Sequence, residues 1–432
     1  MPSLTTTTER PRQSAARTLI GTGVGNAVEW FDWNVYATFA VYFSVQLFNH
    51  ENPQSAFLQT MAVFAVGFVA RPFGSFVFGW IGDRIGRRPS LTLAVLAASA
   101  GSLLIAICPT YDRIGWIASA LLVFARLIQG LAHGGEMPSA QTYLAEHAPR
   151  ERRGLFASVI YVSGTFGLLM GLGLGLGLQA VLTEDQMASW GWRVPFAIGA
   201  VLGLIALWIR RSMEESEVFE DHRTHTQALQ IVEENVFVAV LKNWPTGLRV
   251  IAMTAGLTVS YYIWSVTMSS VAQTSFGYSP GEAFEAALLG NLFLILVLPV
   301  WGWASDKIGR RPAIIIGLLG SAVLYLPMIN LVDGGTMWQL TFAICVQVGL
   351  LAGFLSHAPA TYAEMFPTGQ RTSGFGIYYA IAIAAFGGTA GYVFTWIGDA
   401  RTFGFYAIGL LLIAVATVFF MPETKGKDLT EA

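Results

Sequence analysis

Two arginines lie well inside apolar stretches of this chain, where their side chains could bind an anion. Arg71 and Arg126 each have apolar residues on both sides for several helical turns, near the middle of their stretches. A charge in the middle of a membrane-spanning helix costs at least ~2.5–3.5 kcal/mol unless it is paired or faces water, so such a residue is a functional candidate. Two guanidinium groups at one level suit a dicarboxylate. The alternative is that each arginine pairs with Glu29, Asp32 or Glu136 and holds helices together.

Acidic side chains on the same stretches could carry protons. Burial favours the protonated form of a carboxylate and a nearby arginine favours the ionised form, so a substrate that competes for the arginine could switch the protonation state. We predict proton coupling at Glu29, Asp32 and Glu136. His133 could join a proton relay because histidine titrates near neutrality. The alternatives are a permanently ionised Asp32 and a structural His133.

Helical spacing gathers further polar residues onto one face of a predicted helix. Arg126, Gln129 and His133 share one face of their stretch, and a polar stripe in an apolar helix implies a wet cavity. Tyrosine and tryptophan side chains in the second half could supply hydroxyls and aromatic walls, although aromatic packing is the alternative role. Besides the two arginines, the predicted substrate-binding residues are Gln129, Asn26, Tyr36, Tyr261, Tyr262, Trp264 and Tyr378.

The composition is that of an integral membrane protein. Hydrophobic residues make up 54% of the chain and charged residues 12%, whereas soluble domains carry roughly a quarter charged residues. A span needs about 20 apolar residues. We therefore predict an all-α polytopic protein with twelve transmembrane helices near residues 18–42, 56–80, 90–109, 115–141, 154–180, 191–210, 246–272, 282–304, 312–331, 338–362, 373–398 and 402–420.

Two sequence patterns occur twice, about half a chain apart. Residues 79–89 and 302–312 share a Gly, three residues, an Asp, a basic residue, one further residue and Gly-Arg-Arg-Pro. The Glu146 to Arg153 spacing recurs between Glu364 and Arg371. Such repeats predict two pseudo-symmetric six-helix bundles. The predicted units are an N-terminal bundle at 1–210, a cytoplasmic linker at 211–245 and a C-terminal bundle at 246–432.

The distribution of basic residues predicts the orientation and argues against several functions. With both termini in the cytoplasm, three of the 25 Lys and Arg residues fall outside, namely Arg113, Arg193 and Arg401, in keeping with the positive-inside rule. Basic loops explained by topology predict no nucleic-acid partner. Cys108 and Cys345 lack metal-ligand spacing, and no HExxH or GxSxG motif occurs, so we expect no metal, no cofactor and no enzymatic activity. We expect a monomer in the lipid bilayer.

The repeated loop pattern resembles the signature of the major facilitator superfamily. Within it, residues 25–32, 71–74, 126–136 and 364–367 resemble the metabolite:proton symporters, whose members carry 2-oxoglutarate, citrate, shikimate, or proline and betaine. Chain length and motif order resemble the 2-oxoglutarate branch. The sequence departs from this pattern at His133 and at Met137-Pro138, and these differences could alter specificity.

This resemblance implies a proton-coupled symporter that imports a small organic acid, 2-oxoglutarate or a related dicarboxylate, by alternating access across a bacterial inner membrane. Citrate, shikimate or a zwitterionic solute are alternative substrates. A drug/proton antiporter is a further alternative, but the glycine run at 171–177 lacks that group's central Gly-Pro pair. The resemblance also implies a gate of cytoplasmic charge contacts formed by Asp83, Arg87, Glu146, Arg153, Asp306, Arg310, Glu364 and Arg371.

Overall fold

The computed structural model describes residues 15–49, 52–85, 87–134, 141, 144–145, 148–211, 242–366, 371–427 and 429, with side chains except at 15–25, 75–76, 79–80, 82–91, 206–211 and 371–374. Regular structure in these ranges is helical. The long helices are α1 (Ala15–Leu47), α2 (Pro53–Ile85), α3 (Arg87–Ile107), α4 (Trp116–His133), α5 (Arg153–Val181), α6 (Arg193–Arg211), α7 (Trp244–Tyr261), α8 (Pro280–Ile308), α9 (Arg310–Val332), α10 (Met337–Leu355), α11 (Arg371–Ala382) and α12 (Ala400–Phe419).

Three of these helices continue past a local break. A π-helical turn at Tyr262–Thr267 joins α7 to Met268–Ser275, α10 is followed by Ala358–Met365, and a second π turn at Ile383–Gly387 extends α11 towards Ala390–Ile397. Backbone that leaves helical geometry at membrane depth is tolerated where it is buried in protein or lines a cavity. The breaks in α7 and α11 lie beside the cavity described below.

The helices match the predicted spans. Among the described residues, nine helices are long and apolar enough to cross a membrane, and the pair Glu184–Gly191 and Arg193–Ile205, bent by 42°, would make ten. The remaining predicted spans, 18–42 and 90–109, fall on α1 and α3, which have 33 and 21 residues. The predicted all-α, multi-pass class is confirmed. The linker residues 212–241 lie outside the described residues, and the bundle boundaries stay a prediction.

Glycines let the helices pack closely. A Cβ at Gly130 on α4 would meet the carbonyl oxygen of Gly67 on α2, and a Cβ at Gly256 on α7 would lie 2.6 Å from the carbonyl oxygen of Leu410 on α12. Lipid offers no hydrophobic drive for helix association, so close packing of small residues supplies much of the contact energy. In the glycine run at 171–177 on α5, a Cβ at Gly175 would contact the ring of Phe284 on α8. A Cβ at Gly173 would have no neighbour within 4 Å.

Helices α5 and α8, one from each predicted bundle, pack together along their length. At one end Gly154 and Gly302 approach so closely that a Cβ at Gly302 would lie 2.8 Å from the carbonyl oxygen of Gly154. At the other end a Cβ at Gly175 would lie 2.9 Å from Cε1 of Phe284. The two predicted halves are therefore in contact at both ends of this helix pair.

The close approach of α7 and α12 generates a stability prediction. Gly256→Leu should lower the thermal unfolding temperature in detergent, because the added side chain has to displace the backbone of α12, and such overpacking costs about 1–3 kcal/mol. Gly409→Leu is the matched control, since a Cβ at Gly409 has no neighbour within 4 Å. Equal unfolding temperatures for the two variants would contradict the close contact between these helices.

Candidate functional site

A small cavity lies between the helices at the centre of the bundle. The space in it that atoms do not occupy is about 370 Å³, part of which is open to solvent. Arg71 is the charged residue among the described side chains that line it, and the rest of the wall is aromatic, hydroxylated or aliphatic. The other lining residues are Trp30, Tyr161, Thr254, Leu257, Thr258, Tyr261, Tyr262, Leu355, Tyr379 and Ile383.

The two predicted arginines share one aromatic neighbour but occupy different environments. The guanidinium carbons of Arg71 and Arg126 each lie 4.0 Å from the centroid of the Trp33 ring. Arg71 reaches the cavity wall, whereas Arg126 is fully buried and does not line it. Of the two arginines predicted to face one substrate, Arg71 reaches the cavity and Arg126 lies buried beside Trp33, so their joint role in binding stays a prediction.

Arg126 belongs to a buried hydrogen-bond chain that ends on Asp32. Its Nη1 donates to Oε1 of Gln129 at 2.9 Å, and Nε2 of Gln129 donates to Oδ2 of Asp32 at 3.0 Å and to Oγ of Ser102 at 2.7 Å. Ser102 in turn donates to Oδ1 of Asp32. Nε and Nη2 of Arg126 have no hydrogen-bond acceptor among the described residues. Aromatic faces surround the guanidinium group instead, with the Tyr36 centroid at 4.4 Å.

His133 lies between the two predicted proton-carrying carboxylates of α1. Its Nδ1 is 3.5 Å from Oε1 of Glu29 and its Nε2 is 3.7 Å from Oδ2 of Asp32. All three side chains are about nine-tenths buried. The three groups therefore interact electrostatically, since interactions between charges strengthen in a low-dielectric interior. Glu136, the fourth predicted proton site, lies outside the described residues.

Several predicted substrate residues lie away from the cavity wall. Asn26 ties α1 to α5 by donating to the carbonyl oxygen of Ile160 at 2.7 Å. Tyr36 donates to the carbonyl oxygen of Thr60 at 3.0 Å. Trp264 is buried against Tyr325 with ring centroids 5.7 Å apart. A Cβ at Gly247 would meet the Tyr378 ring. Tyr261 and Tyr262 do line the cavity.

Other wall residues were absent from the predicted site. Tyr379, the neighbour of the predicted Tyr378, lines the cavity, and its hydroxyl lies 2.9 Å from that of Tyr161 on α5. Thr254 and Tyr362 hydroxyls lie 2.7 Å apart. The sequence carries a weak signal for these residues, because tyrosine and threonine in apolar helices also serve as ordinary packing residues. Which of two adjacent tyrosines faces inward depends on the rotation of the helix, which residue spacing alone does not define.

Four of the predicted gating residues form a buried ion cluster, which we call the charged end (Arg153, Asp306, Arg310 and Glu364). Nη1 of Arg153 is 2.9 Å from Oε1 of Glu364. Arg310 is paired with both acids, through Nη1 to Oδ1 of Asp306 at 2.8 Å and Nε to Oε2 of Glu364 at 3.3 Å. Arg153 begins α5, and its partner belongs to the other predicted half. The side chains of Asp83, Arg87 and Arg371, and all of Glu146, lie outside the described residues.

Asp306 also binds the first turn of α5. Its two carboxylate oxygens accept from the backbone amides of Gly154 at 2.8 Å and Leu155 at 2.9 Å. The first amides of a helix lack partners within the helix, and its N-terminus carries partial positive charge. A carboxylate from α8 therefore caps α5 across the two predicted halves.

The segment after α12 completes the charged end. Glu423 accepts from the backbone amides of Arg310 at 2.9 Å and Arg311 at 3.1 Å. Thr424 donates to Oε2 of Glu364 at 3.0 Å, and the carbonyl oxygen of Lys427 accepts from Arg153 at 3.2 Å. The segment after α12 therefore contacts residues of both predicted halves at the charged end.

Aromatic rings and a hydrogen bond also join the two predicted halves. The ring centroid of Phe284 on α8 lies 6.0 Å from that of Phe39 and 6.5 Å from that of Tyr42, both on α1. Oγ of Ser270 donates to the carbonyl oxygen of Ala37 at 2.7 Å. The predicted halves are therefore in contact here as well as at the charged end.

A cavity between two contacting sets of membrane-spanning helices is typical of alternating-access transporters. The chain matches the family model described as sugar (and other) transporter over residues 19–234 and the model described as Major Facilitator Superfamily over residues 286–432. It belongs to the major facilitator superfamily, as its loop signature predicted. It is accordingly a multi-pass transporter and not an enzyme.

Curated relatives and solved structures extend this assignment. The chain is 35% identical over 415 residues to the alpha-ketoglutarate permease of Escherichia coli (strain K12), covering 95% of this chain and 94% of that protein. It is 31% identical to the shikimate transporter of the same strain, with 95% of each chain covered. It is also 31% identical to a putative proline/betaine transporter of Staphylococcus aureus (strain COL), with 96% and 90% covered.

The fold is similar to that of a sugar transporter. The xylose transporter XylE from E. coli, in a partially occluded inward open conformation, superposes with a TM-score of 0.75 at 19% identity, covering 96% of this chain and 100% of that one. This likeness confirms the predicted major facilitator fold.

The charged end generates a prediction about opening. Asp306→Asn removes the negative charge that pairs with Arg310 and caps α5, so the closed contact should weaken and the open population should rise at least about fivefold. The measurement is the rate of N-ethylmaleimide labelling at Ser158→Cys, a buried position on α5, in a Cys108→Ala, Cys345→Ala background. Glu285→Gln on the exposed part of α8 is the control. Equal labelling rates for Asp306→Asn and the control would contradict the gating role.

Proposed function

We propose that the protein is a proton-coupled symporter that imports a small organic acid, with 2-oxoglutarate as the first candidate. The observation that carries this proposal is the position of Arg71 at the cavity wall, 4.0 Å from the Trp33 ring that also contacts Arg126. A guanidinium group binds a carboxylate through two parallel hydrogen bonds. The similarity to an alpha-ketoglutarate permease supports the choice of acid.

The cluster of Glu29, Asp32 and His133 supplies the proton site in this proposal. Asp32 is joined to Arg126 through Gln129, and His133 contacts both carboxylates. Nearby positive charge favours the ionised carboxylate and burial favours the protonated one, so the balance is sensitive to a substrate anion nearby. Proton and substrate would bind together and cross together.

The membrane potential favours more than one proton for a dianion. The membrane potential of a negative-inside cell opposes the entry of a dianion by about 2.3 kcal/mol of free energy per charge per 100 mV. In the described cluster, His133 lies within 4 Å of both carboxylates, so the site holds more than one group that can carry a proton. We place the protein in a bacterial plasma membrane with both termini in the cytoplasm.

A hydroxylated monocarboxylate such as shikimate is the second candidate. Among the described residues, the cavity wall offers one guanidinium group, five aromatic side chains and two threonines, which suits one carboxylate on a ring that carries hydroxyl groups. The 31% identity to a shikimate transporter agrees with this candidate. Citrate and proline or betaine remain alternatives. A lipophilic cation, the substrate class of a drug/proton antiporter, would meet the like charge of Arg71.

Uptake into proteoliposomes tests the proposal. With an inward proton gradient, labelled 2-oxoglutarate should accumulate, and collapsing the gradient with a protonophore should abolish the accumulation. Unlabelled citrate, succinate, shikimate and proline compete in parallel reactions to rank the substrates. If the protonophore leaves uptake of the accepted acid unchanged, proton symport is refuted. Preferential competition by shikimate would select the second candidate.

Removal of the cavity arginine should weaken substrate binding. Arg71→Ala leaves the substrate carboxylate without its cation, and a lost charged hydrogen bond of about 1.5–3 kcal/mol lowers apparent affinity roughly ten- to hundredfold. Arg71→Lys should recover part of it, because a point charge remains without the bidentate fork. Binding is measured by half-saturation for counterflow. Arg249→Ala, an exposed arginine on α7, is the control, and unchanged half-saturation in Arg71→Ala would exclude the anion site.

A further inference from the structure

Trp33 lies between the cavity and the buried proton cluster. It is 2% exposed, and its ring centroid lies 4.0 Å from the guanidinium carbon of Arg71 and 4.0 Å from that of Arg126. The ring edge of His133 also approaches it, with centroids 5.8 Å apart at 86°. One indole therefore contacts the cavity arginine, the buried arginine and the histidine of the carboxylate cluster.

The protein encloses this indole on its remaining sides. Phe68 packs edge-on at a centroid distance of 4.6 Å, and Phe64 lies at 5.9 Å. Gly67 supplies the space for the ring, since a Cβ there would lie 2.8 Å from Cη2 of Trp33 and 3.4 Å from Nε of Arg126. A side chain held so tightly transmits a displacement of one neighbour to the next, because packed interiors are stiff.

The arrangement also brings two like charges close together. Because each guanidinium carbon is 4.0 Å from the same ring centroid, the two carbons are no more than twice that distance apart. The ring face attracts both cations and fills the space that water would otherwise use to screen them. Their mutual repulsion is therefore stronger than it would be in water.

The charges around the proton cluster are contributed by three of the helices packed there. Helix α3 adds the hydroxyl of Ser102, and α6 approaches Asp32 through Gly199, so neither adds a titratable group at that contact. The described titratable and charged groups at the cluster are Glu29 and Asp32 on α1, Arg71 on α2, and Arg126 and His133 on α4.

We propose that Trp33 is the positioning residue that couples substrate binding at Arg71 to protonation of the Glu29, Asp32 and His133 cluster. The inference rests on the proposed symport function and names the element that links its two ligands. A carboxylate bound to Arg71 neutralises one of the two cations beside Trp33. The positive potential at the cluster then falls, and protonation becomes more favourable. Coupling between sites is reciprocal, so protonation in turn tightens substrate binding.

Substitution of Trp33 should uncouple the two ligands while substrate exchange continues. Trp33→Leu removes the ring that spaces the guanidinium groups and keeps screening water from between them. We expect the ratio of gradient-driven accumulation to counterflow to fall at least about fivefold, the lower range of allosteric coupling. The half-saturation for counterflow should be lower at acidic than at alkaline pH in the wild type, and this difference should vanish in Trp33→Leu. Trp33→Phe keeps a ring and should restore most of both properties.

Gly67→Ala displaces Trp33 without removing it, and provides an independent test if Trp33→Leu does not reach the membrane. It should reduce the accumulation-to-counterflow ratio in the same direction. The controls are Trp338→Leu, an exposed tryptophan, and Gly173→Ala, where a Cβ has no neighbour within 4 Å. All assays use whichever of labelled 2-oxoglutarate, citrate, shikimate or proline the wild type accumulates best.

Three results would overturn the proposal. The first is that both Gly67→Ala and Trp33→Leu keep the wild-type ratio of accumulation to counterflow and the wild-type pH dependence of half-saturation. If Trp33→Leu is not inserted into the membrane, the same result for Gly67→Ala alone is sufficient. Another is an equal loss of accumulation and counterflow, which would make Trp33 a purely structural residue. A wild type that accumulates none of the four acids under a proton gradient would refute the symport function itself, and the coupling role with it.

Discussion

Charged groups inside a low-dielectric helical bundle need partners, and this constraint organises the molecule. Arg126 is fully buried and still makes one hydrogen bond to Gln129, with aromatic faces around the rest of its guanidinium group. Asp32 receives hydrogen bonds from Gln129 and Ser102. Removing one partner of a buried pair exposes the other to an unfavourable environment. The helices that carry these groups, α1, α3 and α4, are thereby fixed relative to one another.

The same constraint acts at the charged end with a different result. There the partners come from different predicted halves, since Arg153 on α5 pairs with Glu364 and the first turn of α5 is capped by Asp306 of α8. The charged end is as buried as the chain on Asp32, since Glu364 is 1% and Arg310 0% exposed. What differs is what each cluster joins. A contact between the two predicted halves suits a gate, whereas the chain that ends on Asp32 lies within one predicted half and suits a site whose charge state is switched.

The aromatic wall of the cavity gives the site its remaining character. Trp30, Tyr161, Tyr261, Tyr262 and Tyr379 surround the space beside Arg71, so a bound molecule would meet one cation and several ring faces. The superfamily fold is shared with a xylose transporter at only 19% identity, and fold alone does not select a substrate. The chemistry of these walls, more than the helical scaffold, has to discriminate one acid from another.

Much of the architecture followed from the sequence because it depends on local properties. Apolar segments of sufficient length can satisfy their backbone groups only as helices in a bilayer, and the repeated loop pattern marked the superfamily. The spacing on α4 also indicated a polar face with Gln129 and His133, and Glu29 and Asp32 were predicted as proton sites. The sequence placed Arg71 and Arg126 at similar depth, but depth along a helix does not define rotation or neighbours. Only packing decided that Arg71 reaches the cavity while Arg126 lies buried beside Trp33, and that Tyr379 lines the wall where Tyr378 was expected. Such contacts form between helices that are distant in sequence, as at Gly67, where a Cβ would lie 2.8 Å from Cη2 of Trp33.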